Sequence, residues 1–123
     1  TSDETYIRDY IHIKDICLSI EKSIKFLIKN KNSTILNIGS GKGLSNNEII
    51  NYIKKKLKKR INIKYVNKRK GDMSHLVCNS DKAKKILSWT ATNSNLKKII
   101  HNEINWMRKI NRFGFERRFK NYL

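Results

Sequence analysis

Ile13, Ile16, Cys17, Ile20, Ile24, Leu27 and Ile28 recur at spacings of three and four. That is the period of a helix with one apolar stripe. Asp15 and Glu21 lie early in this stretch and Lys29 late, the order a helix dipole favours. A short extended segment, Tyr6 to His12, precedes the helix, and Asn30 to Ser33 ends it. Thr34-Ile-Leu-Asn-Ile38 reads as a short β-type run leading into Gly39-Ser-Gly-Lys-Gly43, a flexible turn. A second helix is predicted from Ser45. Glu48, three residues on, completes a capping box in which each side chain satisfies an otherwise unpaired backbone N–H. Ile49, Ile50, Ile53 and Leu57 form its apolar face, and lysines crowd its end.

Ile61, Ile63 and Tyr65 alternate with Asn62 and Lys64, the pattern of a half-buried strand. Lys68 to Asp72 is a charged loop around Gly71, and Leu76 to Cys78 is a second short extended stretch. Ser80 is placed to cap a small helix carrying Ala83, Ile86 and Leu87, with Trp89 anchoring the loop that follows. A last long helix starts near Asn93 or Ser94 and sets Leu96, Ile99, Ile100, Ile104 and Met107 on one face. Two regions emerge: an α/β unit over residues 1–110 and a basic, aromatic tail over 111–123 without clear period. The elements are too few for a complete doubly wound sheet.

Composition adds a complication. The chain has 123 residues, enough for one domain with a modest core, and only 38% of them are hydrophobic. Lys and Arg number 28 against 10 acidic residues, a formal charge of +18. Such an excess suits a polyanion partner. Abundant Lys, Asn and Ile with no Pro also fit an AT-rich genome, and a solvated lysine surface then explains the count without nucleic acid. The second reading is preferred. The first keeps a specific form, a stand-alone basic nucleic-acid-binding module using Lys54 to Arg60, Arg108 to Arg112 and the aromatic tail. Cys17 and Cys78 show no metal-ligand spacing, and Cys17, within an apolar helical pattern, is expected to be a buried free thiol. No apolar run reaches the roughly 18 residues of a membrane span. A cytoplasmic protein is expected, its N-terminus lying upstream of Thr1.

Three stretches carry a resemblance. Ile7-Arg-Asp-Tyr-Ile-His-Ile-Lys-Asp15 is similar to RDYIHV-x-D, and Leu36-Asn-Ile-Gly-Ser-Gly-Lys-Gly-Leu-Ser45 to NLGTG-x-G-x-S. Lys68-Arg-Lys-Gly-Asp72 is similar to RRPGD, with Asp81-Lys-Ala-Lys-Lys-Ile-Leu-Ser-Trp89 resembling KA-x-x-x-L-x-W beyond it. In this order they resemble UDP-glucose 4-epimerases of the extended short-chain dehydrogenase/reductase family, over roughly residues 1–110. The resemblance implies the C-terminal substrate-binding subdomain of a two-part enzyme, with the NAD-binding Rossmann half absent or supplied as a separate N-terminal piece. It implies interconversion of UDP-glucose and UDP-galactose through a 4-keto intermediate by the intact enzyme, and no activity for this chain alone.

The resemblance places Arg8 and Arg69 at positions that contact the nucleotide, and Asp72 at one that accepts from the ribose hydroxyls. The chemistry suits them. A guanidinium fork grips two diphosphate oxygens together, and an ionised carboxylate accepts from a diol. Gly71 lets the loop turn tightly. Without the resemblance the loop would read as an ordinary charged turn, and Arg8-Asp9 as a surface ion pair. Tyr10 and His12 read as packed residues rather than catalysts. Lys70 departs from the family's proline, Leu76 and Val77 from its frequent aromatic residue, and Asn79 from its aspartate. Tyr10 with Lys14 and Tyr52 with Lys56 match a Tyr-x-x-x-Lys catalytic spacing, yet neither has a dinucleotide loop upstream. The family's catalytic pair would precede Thr1. Gly39 to Gly43 fails both the dinucleotide fingerprint and the P-loop pattern.

Overall fold

Residues 5–58, 60–67 and 69–112 are described by the computed structural model, with side chains as far as Ile110. Three short strands form one sheet: β1 (Ile7–Asp9), β2 (Gly43–Ser45) and β3 (His75–Leu76). Their order is β2-β1-β3, with β1 antiparallel to β2 and parallel to β3. Ile7 faces Ser45 on one side and His75 on the other. Four helices complete the unit: α1 (Ile13–Asn30), α2 (Asn46–Leu57), α3 (Asp81–Leu87) and α4 (Leu96–Arg112). The expected tail over 111–123 therefore begins inside α4, and residues 113–123 lie outside the described residues. Among the described residues, no helix is long and apolar enough to cross a membrane.

The capping box of α2 forms as its sequence requires. The Ser45 side chain accepts from the Glu48 backbone N–H at 3.1 Å, and Glu48 accepts from the Ser45 N–H at 2.6 Å. His12 is the N-cap of α1, its Nδ1 accepting from the Lys14 N–H at 3.0 Å. Ser80 occupies the N-cap position of α3 but makes no side-chain cap. Its hydroxyl instead donates to the Gly39 carbonyl at 2.9 Å, tying the helix to the glycine turn. The three helices α1, α2 and α3 end in left-handed residues that are not glycine: Lys31, Lys58 and Ser88.

The core is small. Ala83, Leu87 and Trp89 are buried together, and Ile11, Phe26, Leu36, Ile38, Ile86 and Ala91 pack around them. The α1 helix reaches this core with its less apolar side, which carries the buried Asp15 and Ser19 and the partly buried Phe26. Its apolar stripe points away. Ile13 is 68% exposed and Ile28 74%, with Ile20, Ile24 and Leu27 exposed between them. Cys17 lies on that stripe, so the thiol expected to be buried is exposed.

Two predicted strands do not form. Thr34–Ile38 keeps the alternation of a strand, with Leu36 and Ile38 turned toward the core and Ile35 and Asn37 exposed, but joins no ladder. Residues 61–65 likewise lie outside any strand. Periodicity gives the more buried side chains at 36, 38, 61 and 63 but fails at Tyr65, which is 69% exposed, and a strand also needs a neighbour with free backbone groups. The reverse error occurs at Gly43–Ser45, where the supposed turn supplies β2. In α4, Ile100 is buried and Leu96, Ile99 and Ile104 partly so, whereas Met107 is exposed near the helix end.

Candidate functional site

Strand β1 alternates its side chains, so Arg8 points to the face opposite Ile7 and Asp9. Asp9 is held by the glycine turn. Its carboxylate accepts from the backbone N–H groups of Ser40 at 2.9 Å, Gly41 at 2.9 Å and Cys78 at 3.1 Å, and from the Ser40 hydroxyl. Successive N–H groups converging on one point make an anion-binding concavity. Here the anion is the protein's own side chain. Burial pushes the Asp9 pKa up, but these four donors outweigh it and hold the carboxyl below its ordinary value. Burial and the neighbouring Asp9 charge raise the Cys78 thiol, keeping it neutral.

This arrangement decides what the turn can bind. A Cβ on Gly39 would strike the Cys78 side chain and approach Asp9 Oδ2 to 2.7 Å, and one on Gly43 would strike Ile7 and come within 2.9 Å of Val77 Cγ2. These glycines allow close approach of the chain to itself. With its donors committed to Asp9, the turn does not fit a dinucleotide pyrophosphate. The alternative reading of Arg8-Asp9 as a surface ion pair does not hold: Arg8 Nη1 donates to the Ile7 carbonyl at 2.8 Å, and its guanidinium stacks 4.9 Å from the Tyr6 ring centroid.

A second carboxylate organises the opposite side. Asp15 is wholly buried, 0% exposed. It accepts from the Asn93 backbone N–H at 2.9 Å, the Asn93 side-chain amide at 2.7 Å and the Ser94 hydroxyl at 2.6 Å. Burial raises its pKa, and the Ser94 and Asn93 bonds, with the nearby His12, bring it below the ordinary value. The Asp15 carbonyl accepts from the Trp89 indole N–H at 2.9 Å, and the His12 N–H donates to Ser94 Oγ at 2.9 Å. His12 Nε2 lies 2.8 Å from Asn102 Nδ2. His12 and Asp15 thus brace the entry of α4. Tyr10 donates to Asn46 Oδ1 at 3.1 Å. Sequence reasoning missed the roles of Asp9 and Asp15, since a carboxylate bound to backbone N–H groups leaves no local pattern.

Arg69 and Asp72 are brought together. The Asp72 N–H donates to the Arg69 carbonyl at 3.2 Å, and Gly71 adopts a φ of 89° to close the turn. Arg69 Nε then lies 3.4 Å from Asp72 Oδ2. No bond among the described residues uses Arg69 Nη1 or Nη2, or Asp72 Oδ1, so a forked donor and an acceptor face solvent together. Arg69 is 89% exposed on its side chain and Asp72 is 30% exposed. Three residues beyond Asp72 the chain enters β3, whose Leu76 faces Arg8 across the ladder. The topology therefore carries the turn to the strand beside Arg8, but no described hydrogen bond or ion pair joins Arg8 to Arg69 or Asp72. A cleft of about 310 Å³ opens between the glycine turn, Asn79, Lys84 and Thr90, and none of the three lines it.

The fold defines a class: the C-terminal α/β subdomain of an extended short-chain dehydrogenase/reductase. Within that class the chain is homologous to UDP-glucose 4-epimerases over about a third of their length. The UDP-glucose 4-epimerase of Rhizobium meliloti (strain 1021) is 35% identical over 114 residues, which is 93% of this chain and 34% of that protein. A crystal structure of UDP-glucose-4-epimerase from Stenotrophomonas maltophila, with bound NAD and formylated UDP-arabinopyranose, matches with a TM-score of 0.84 at 29% identity. The match covers 91% of this chain and 33% of that one. The epimerase of Bifidobacterium longum in complex with NAD+ and UDP matches with a TM-score of 0.73 at 28% identity, over 89% of this chain and 32% of that one. No family model matches.

Proposed function

We propose that this chain is the nucleotide-sugar-binding part of a UDP-glucose 4-epimerase. In the intact enzyme UDP-glucose and UDP-galactose interconvert through a 4-keto sugar. NAD, bound by the remaining two-thirds, supplies a reversible hydride acceptor at C4 of the sugar. The observation that carries the reading is the likeness of fold and sequence to one third of epimerases whose structures hold NAD with UDP or a UDP-sugar. Arg69 and Arg8 grip the diphosphate, and Asp72 accepts from the ribose hydroxyls. The ion pair pre-orients Arg69 while sparing its terminal nitrogens, which lowers the ordering cost of binding. This chain alone is inactive, because its glycine turn is closed on Asp9 and no described residue set fits NAD. Two free thiols, Cys17 and Cys78, favour a reducing cytoplasm.

Nothing in the comparisons favours the nucleic-acid alternative, and its tail aromatics, Phe113, Phe115 and Phe119, lie outside the described residues. Titration of the chain with UDP and with uridine, followed by NMR, tests the reading. Arg69→Ala is expected to weaken UDP at least about tenfold, or ~1.4 kcal/mol, and to leave uridine unchanged. Asp72→Ala should weaken both. Wild-type UDP affinity in Arg69→Ala would refute the site. Tight binding of short RNA at physiological salt, with none of UDP, would favour the basic module.

A further inference from the structure

Arg8 is held in shape by the protein itself, and the ring that holds it belongs to Tyr6. Side chains alternate along β1 and the residue before it, so Tyr6 and Arg8 stand on one face of the sheet. The guanidinium carbon of Arg8 lies over the Tyr6 ring, 4.9 Å from its centroid, while Nη1 donates to the Ile7 carbonyl at 2.8 Å. Both contacts spare the useful edge of the group. A ring meets the cation on its flat face, whereas a guanidinium donates its five N–H groups within its plane. The Ile7 carbonyl takes one of those, on Nη1. Nε and Nη2, whose N–H bonds run side by side along one edge, make no bond among the described residues. That edge is the fork that grips two oxygens of a diphosphate at once.

The ring is anchored in turn. Tyr6 is half-buried, and its carbonyl accepts from the Asn46 N–H at 3.1 Å, at the start of α2. On its two sides, Thr5 Oγ1 accepts from the Asn47 N–H at 3.3 Å and the Ile7 N–H donates to the Ser74 carbonyl at 2.9 Å. Thr5, Tyr6 and Ile7 are thus tied to α2 and to the chain entering β3. No hydrogen bond among the described residues uses the Tyr6 hydroxyl, so the ring face is what Arg8 meets.

We infer that Tyr6 is a positioning residue of the nucleotide site, fixing the plane of the Arg8 guanidinium so that its Nε–Nη2 edge is presented to the diphosphate. The assignment rests on the nucleotide-sugar reading of Arg8. A long side chain must be ordered before it can grip, and a ring that orders it beforehand removes part of that cost from binding. Asp72 does the same for Arg69 through an ion pair. The two arginines are therefore preset by different chemistry. A carboxylate next to Arg8 would compete with the diphosphate for the fork, but a ring leaves the charge and the edge free. Asp9, adjacent in sequence, is kept out of this competition by its bonds to Ser40, Gly41 and Cys78.

The test is a double-mutant cycle on the full chain, read by NMR titration with UDP and with uridine. Tyr6→Leu keeps an apolar side chain but loses the π face. It is expected to weaken UDP about three- to tenfold and to leave uridine unchanged. Tyr6→Phe should restore the wild-type UDP affinity. In an Arg8→Ala background, Tyr6→Leu should change UDP affinity by less than about twofold, because nothing remains to be positioned. The ring current of Tyr6 gives a second readout that needs no nucleotide. The Arg8 Hδ and Hε resonances should lie upfield in the wild-type chain and in Tyr6→Phe, and return to ordinary arginine positions in Tyr6→Leu. Additive losses in the cycle, equal weakening of UDP and uridine, or unchanged or tighter UDP in Tyr6→Leu each overturn the inference. So do Arg8 resonances at ordinary positions in the wild-type chain, a result that decides the matter even where Tyr6→Leu does not fold. The two readings fail separately. Wild-type UDP affinity in Arg69→Ala refutes the site, whereas UDP weakened by Arg69→Ala and Arg8→Ala but indifferent to Tyr6→Leu sinks the role of Tyr6 and spares the proposed function.

Discussion

The two faces of α1 reverse the usual arrangement. Its inner side holds a carboxylate with 0% exposure, surrounded by Asn93, Ser94 and His12, and its outer side shows a row of isoleucines to water. Apolar surface normally supplies most of the stability of folding, and a buried carboxylate is tolerated only when its lone pairs are filled. At Asp15 they are filled by three donors from one loop, so the inner face is complete within the described residues. The outer face leaves Ile13, Ile20, Ile24 and Ile28 more than half exposed. The difference shows which contacts make this unit.

The largest expected effect lies on the inner face. Asp15→Ala removes the acceptor of the Asn93 N–H, the Asn93 amide and the Ser94 hydroxyl in a seam where Ser94 is buried and Asn93 half-buried. It should cost about 3 kcal/mol, read from the urea midpoint of the isolated chain. A shift within experimental error would mean that solvent already reaches this seam. The next effect is shared by Asp9 and Asp15. Both have folded pKa values held below the ordinary 3.8, so their stabilisation is fully present above that value. It is lost as pH falls from about 3.8 through the depressed folded values, where the native carboxylates finally protonate. Thermal melts should therefore be flat in this respect above pH 5 and decline below 4, and Asp15→Asn should flatten that decline. The smallest effect is expected on the outer face. Ile24→Glu should change the stability of the isolated chain by no more than about 0.5 kcal/mol, because the side chain is already 53% exposed. A large loss would show that the stripe is already covered in the isolated chain.

Much of this was legible in the sequence, but unevenly. Spacing found α1, α2 and α4, and the Ser45–Glu48 pair fixed the start of α2 within a residue, since caps are local chemistry. Gly71 between Arg69 and Asp72 announced their turn. Thr34–Ile38 was legible as a strand in everything except pairing, because a ladder depends on a second chain segment that no window of sequence contains. Asp9 and Asp15 were invisible for a related reason: their donors sit at 40, 41, 78, 93 and 94, brought near only by the fold. Their positions belong to the motif that carries the resemblance, so that motif is largely architectural. Of its polar members, Asp9, His12 and Asp15 hold loops and a helix start, and Tyr10 holds Asn46. That Arg8, Arg69 and Asp72 belong to one site was legible only through the resemblance, and the topology brings the Arg69–Asp72 turn to the strand beside Arg8.

Glycine is scarce in this chain, five in 123 residues, and three of those serve the turn wrapped around Asp9. The helix exits at positions 31, 58 and 88 are consequently made by lysine, lysine and serine at φ values of 54°, 51° and 49°. Each side chain there crowds its own carbonyl, a tension of roughly 1–2 kcal/mol that the surrounding contacts must overcome. The molecule thus keeps a reserve of robustness at its corners, which a change of one residue per corner would release without touching Arg8, Arg69 or Asp72.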